Sequence, residues 1–141
     1  LAIRREQRKE HQIIFDLGTK SHFLSDKTDS PNMGQSNEKV YLPDGSTLTT
    51  KHKTLLPFNQ LTKTAREAFL PGLKKSLASI SKWADKGYTT IFHPGENGVT
   101  VHRPGTLTLM FAEPPILQGY KQCRAKLWTA TLDESKNAAS D

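Results

Sequence analysis

"IIFDLGTKSHFL", residues 13 to 24, is the stretch on which the reading of this chain turns. Ile13, Ile14 and Phe15 have the β-branched and aromatic character of a buried strand, and that strand ends on a carboxylate, Asp16, at a turn marked by Gly18. Apolar character returns at Phe23 and Leu24. Two readings of Asp16 stay open at this point. It is an ordinary turn residue, since Asp and Gly favour chain reversal, or it is a carboxylate held at the end of a strand for use.

Working outward, residues 1–11 are a polar lead-in without an apolar stripe. Residues 25–39 are dominated by turn formers and read as a surface loop. "KVYLPDGSTLTT", residues 39–50, predicts a β-hairpin: Asp44-Gly45 favours positive φ at the tip and β-formers flank it. Pro43 must lie beside the tip or on an edge, because it cannot donate a ladder hydrogen bond. A further strand is expected around Thr54 to Phe58. "AREAFLPGL" begins like a helix but meets Pro71-Gly72, which leaves a short strand or a single turn open.

In "SLASISKWADKG", Leu77, Ile80, Trp83 and Ala84 recur at helical spacing, with Lys86 in the last turn and Gly87 just past it. A helix is expected from Ser76. "YTTIFH", "GVTVHR", "TLTLMFA" and "KLWTATL" then predict four strands separated by Pro and Gly. Short strands around one helix indicate a mostly-β barrel or sandwich. The folded part spans residues 12–131, and residues 132–141 form a polar tail read as disordered.

A chain of 141 residues suits one domain. No apolar run approaches the roughly 20 residues of a membrane span. Cys123 is the only cysteine, so an internal disulfide and a Cys-rich zinc site are both out of reach, and a reducing intracellular compartment is expected. The five histidines show no metal-ligand spacing, and neither a metal nor another cofactor is expected. A net charge of +6 permits contact with nucleic acid without requiring it, because the basic residues are mixed with acids and not interleaved with aromatics. The charged start at Leu1 reads as that of a piece of a longer polypeptide.

Taken in order, these blocks resemble the retropepsin-like aspartic protease region of copia-type LTR retrotransposon Gag-Pol polyproteins. In that family an apolar strand leads to Asp-Ser/Thr-Gly, and a Leu-Pro-Asn/Asp-Gly hairpin follows. A Val-Pro-x-Leu-x-x-x-Leu-Leu-Ser-Val stretch then leads to a helix and a Gly-x-x-Val-x-Phe strand. "DLG", "LPDG", "LPGLKKSLASIS" and "DKGYTTIF" stand in those places here, and Leu127-Trp128 lies in a late strand. The resemblance implies a retropepsin-like closed fold and a homodimer in which Asp16 of each chain supplies half of a catalytic pair. Leu17, Gly18 and Thr19 complete the active-site loop, and the Asp44, Gly45, Ser46 hairpin tip is the candidate flap over an extended polyprotein peptide. Its setting would be intracellular, cytoplasmic or within a particle.

The chemistry needs two carboxylates in opposite roles. Two like charges a few ångström apart share a proton; the ionised member takes a proton from water and the protonated one donates to the scissile carbonyl. Leu17 departs from the pattern, because the resemblance implies a Ser or Thr whose hydroxyl bonds across the dimer axis. Leucine has no such group, which would leave a waiting partner unsatisfied at about 1 to 3 kcal/mol and crowd the axis. The resemblance implies a small residue, generally glycine, opposite the active-site loop, and Ser79 keeps a small residue there. A catalytically inactive retropepsin-like dimerisation or interaction module is therefore the alternative function. His22 is expected to be structural, and Trp83 and Trp128 core or interface aromatics.

Overall fold

Residues Ile13–Asp16 form strand β1, which pairs in parallel with Ser76–Ser79, strand β7, in the register Ile13↔Ser76 to Asp16↔Ser79. The computed structural model describes residues 12–25, 31–41, 45–70, 74–124 and 126–133. The chain divides into two units, the first ending at Trp83 and the second beginning at Ala84.

The first unit is built on a five-stranded mixed sheet in the order β1-β7-β2-β6-β5, where β2 is His22–Phe23, β5 His52–Leu55 and β6 Glu67–Leu70. β2 is antiparallel to β7 and parallel to β6, and β5 is antiparallel to β6. Parallel neighbours cannot be joined by a tight turn, so the chain between β1 and β7 supplies the rest of the sheet. Small residues fill its middle: Ala68, Ser76, Ala78 and Ser79 are buried, beside Phe23, Leu24, Leu56, Ile80 and Trp83.

Between β5 and β6 lies a single helical turn, α1, Lys63–Arg66, capped by the Thr62 hydroxyl, which accepts from the Ala65 N–H. "AREAFL" thus supplies both alternatives, the end of a turn and then a strand. Lys39–Tyr41 (β3) and Thr47–Thr49 (β4) make the expected hairpin, with Gly45 at φ +88° near its tip. That φ is easy only for glycine. Asp44 lies outside the described residues, as do the lead-in and residues 134–141 of the tail.

Several expectations need correction. The helix expected from Ser76 begins only at Ile80 (α2, Ile80–Asp85), because β1 and β2 flank Ser76–Ser79 and recruit it as a strand despite its helical spacing. The strands do not close into a barrel: among the described residues β1 and β5 stand at opposite ends of an open sheet. The described part of the 25–39 loop is not loose. Met33 N–H donates to the Lys53 carbonyl at 2.8 Å, Lys53 N–H to that of Gly34 at 2.9 Å and Ser36 N–H to that of Lys51 at 3.1 Å. A polar segment pairs through its backbone as readily as an apolar one, and the buried Ser36 and Thr50 hydroxyls meet at 2.7 Å.

The second unit carries two hairpins. Thr89–Phe92 (β8) pairs with Val99–His102 (β9), and Tyr120–Lys121 (β10) with Trp128–Thr129 (β11). On the first hairpin, His93 Nε2 and His102 Nε2 each lie 2.8 Å from the Thr100 hydroxyl. On the second, Gly119 permits a close approach, since a Cβ there would sit 2.6 Å from the Thr129 carbonyl oxygen. Lys121 donates to Asp85 at 2.6 Å and Lys126 lies 3.2 Å from the other oxygen, which holds the Asp85 carboxyl below its usual range. The strand expected at "TLTLMFA" is absent: this segment has β-forming side chains but no strand partner among the described residues.

Candidate active site

Asp16 ends β1, directly opposite Ser79 at the end of β7. Its Oδ1 accepts a hydrogen bond from the Gly18 N–H at 2.7 Å, closing an Asx turn. The turn reading of Asp16 is therefore correct as local geometry. It does not consume the carboxylate, because the second oxygen, Oδ2, makes no hydrogen bond to a described residue.

Ser79 fixes this loop from across the strand pair. Its hydroxyl donates to the Thr19 carbonyl at 2.6 Å and accepts from the Lys82 N–H at 3.0 Å, so one buried side chain holds the loop and caps α2. The Ser79 N–H donates to Nδ1 of His22 at 2.8 Å. With Nδ1 accepting, the imidazole carries its proton on Nε2, and that N–H reaches the Ala65 carbonyl at 2.9 Å. The same carbonyl accepts from the Trp83 indole N–H at 3.0 Å. A carbonyl at the end of a helical turn has no intrahelical partner, and two buried rings supply one here.

His22 is fully buried, and its ring centre lies 5.0 Å from that of Trp83. Burial, reinforced by the nearby Lys82 charge and opposed by the bond to Ala65, lowers its pKa to about 4. It is neutral at pH 7 and both nitrogens are engaged, so it serves as a keystone and not as a base for the loop.

Comparison with known protein families, with curated proteins and with solved structures gave no match.

Leu17 follows Asp16 and is 47% exposed, while Ile14 and Phe15 just before it are also exposed. β1 has a strand neighbour on one side only among the described residues. Within the chain Leu17 is not squeezed, and it strands no partner: the Gly18 N–H is taken by Asp16, the Thr19 hydroxyl by the Ser21 carbonyl at 3.1 Å, and the Thr19 carbonyl by Ser79. The cost expected for a missing hydroxyl is therefore not incurred within a single chain.

Of the other residues singled out in the sequence, Gly45 and Ser46 lie in the connection leading into β4 of the separate two-stranded β3–β4 sheet and are exposed. The sequence marks Ser79 only as a small residue, and its hydroxyl links to Thr19 and Lys82 have no signature in the chain. The Ala65 carbonyl was missed entirely, because a backbone acceptor has no signature in side-chain pattern. Among the described residues no helix is long and apolar enough to cross a membrane, and no three His, Cys, Asp or Glu residues group as metal ligands.

Proposed function

We propose that this chain is an aspartic endopeptidase of the retropepsin-like, copia-type Gag-Pol kind, working as a homodimer in which each chain supplies Asp16. The observation that carries the reading is the state of that carboxylate: one oxygen is locked by the Gly18 N–H, the other makes no hydrogen bond to a described residue, and exposed apolar residues flank it on β1, whose outer edge has no strand neighbour among the described residues. A lone carboxylate cannot be acid and base at once. Two of them about a symmetry axis share one proton, and the water between them is activated by one and the substrate carbonyl polarised by the other.

On this reading the ordered loop holds Asp16 while Ser79 and His22 hold the loop, and a peptide of the surrounding polyprotein binds in extended form. The β3–β4 hairpin is the flap, in an intracellular or particle-borne setting. Leu17 favours one second reading, an inactive dimerisation module, since an apolar side chain can join two copies without supporting catalysis.

The test offers a mixture of unrelated peptides at about pH 5, where a shared proton is expected, to the unaltered chain and to Asp16→Asn. Cleavage by the first alone, with specific activity rising with protein concentration, is the expected result. Absence of cleavage from a chain that is dimeric by light scattering would favour the module.

A further inference from the structure

Residues 107–119 carry strand chemistry without a strand. Leu107, Leu109, Met110 and Phe111 follow one another between threonines and Ala112, yet no backbone hydrogen bond joins any residue from Leu107 to Gly119 to another described residue. Met110 is 92% and Phe111 71% exposed, and Leu109 is exposed beside them. Large apolar side chains and unpaired N–H and C=O groups stand together in solvent. That combination is what an extended-peptide site takes up: backbone groups pair as an added strand and alternate side chains enter pockets. The prolines set its limits, because Pro104 and Pro114 cannot donate to such a ladder. The usable window runs from Gly105 to Glu113, with Met110–Phe111 joining its two most exposed apolar residues.

We propose that the Met110–Phe111 peptide bond is a cleavage site for the Asp16 pair of another dimer of this chain, an inference that rests on the endopeptidase reading above. Water adds its oxygen to the Met110 carbonyl carbon and gives one proton to the ionised carboxylate. The protonated carboxylate supports the carbonyl oxygen, the C–N bond breaks, and the Phe111 nitrogen leaves with a proton as an amine. One product ends in a Met110 carboxylate and the other begins with Phe111, whose amine also takes up the proton released by the new carboxyl group, and the pair returns to one shared proton. All of the residues that hold the loop, from Asp16 to Trp83, stay on the first product. The cut separates the β10–β11 hairpin, and with it Lys121, from Asp85.

The experiment uses the full-length Asp16→Asn chain as substrate, with and without a small amount of unaltered chain at about pH 5, read by intact mass and N-terminal sequencing. The unrelated peptide mixture is offered to the same enzyme in parallel. The expected result is a new N-terminus at Phe111 only when unaltered chain is present, lost in a substrate that also carries Met110→Asp while cleavage of the mixture is unchanged. Cleavage of the mixture with Met110–Phe111 left intact overturns this inference and leaves the endopeptidase reading standing. Cleavage of neither overturns that reading. A Phe111 terminus that appears without unaltered chain comes from another protease and also overturns the inference.

Discussion

His22 accepts the Ser79 backbone N–H at 2.8 Å, across a sheet in which β2 and β7 are antiparallel neighbours. Through this bond a buried imidazole sets the position of the residue that holds the Asp16 loop, and its protonation would remove the acceptor. The folded-state pKa is lowered from 6.5 to about 4, so between those values the unfolded chain binds more protons than the native one. The stability that His22 contributes is complete above about pH 6.5 and is lost as pH falls toward about 4, a difference of about 3 kcal/mol. Urea midpoints at pH 7, 5.5 and 4.5 should fall in that order, and His22→Gln should flatten this part of the trend. A midpoint that holds level to pH 4.5 would sink the keystone role.

Ser79→Ala removes the donor to the Thr19 carbonyl and the acceptor of the Lys82 N–H together. We expect a loss of about 1 to 3 kcal/mol and faster amide exchange at Lys82. Unchanged exchange there would mean that the cap is not made in solution.

Asp16→Asn keeps an oxygen for the Gly18 N–H, so the turn survives. Thermal stability should stay within about 0.5 kcal/mol, while the proposed endopeptidase activity should disappear. Retained cleavage would exclude Asp16 from the chemistry.

Leu17 is exposed, and its replacement should leave the fold of one chain unaltered. Leu17→Arg places like charges together at the proposed axis and should weaken self-association by at least about tenfold, whereas Leu17→Thr should keep it. Sedimentation over a range of concentrations measures both. Equal association of the arginine variant would remove Leu17 from the interface.

The Thr54 hydroxyl is buried without a hydrogen-bond partner among the described residues. Thr54→Val keeps the shape and drops an unsatisfied group, so stability should be unchanged or rise by about 1 kcal/mol. A loss of comparable size in a denaturant melt would show that the hydroxyl has a partner in solution.

β1, the hairpin around Gly45 and the β8–β9 pair were legible because each carries its own signal: β-branched runs, an Asp-Gly tip, Gly and Pro punctuation. β7 was not, since Leu77, Ile80 and Trp83 keep helical spacing and only the neighbouring strands make Ser76–Ser79 extended. The segment around Gln35 is illegible for the opposite reason: its pairing with β5 runs through backbone groups that side-chain polarity does not report. At the site, Asp16, Gly18 and the small Ser79 were visible in the chain. The carbonyl of Ala65, which collects both His22 and Trp83, could be found only in three dimensions.

Ser79 and Thr19, joined by a hydrogen bond, are 60 residues apart in the chain. Closing so long a span is entropically modest but kinetically late. During synthesis Asp16 emerges early, on a strand whose partner does not yet exist. The carboxylate cannot be held in place until the chain has been made past Ser79 and β7 has slotted between β1 and β2. The order of translation thus acts as a timer, and a nascent or prematurely ended chain lacking β7 carries the acid but not the frame that holds it.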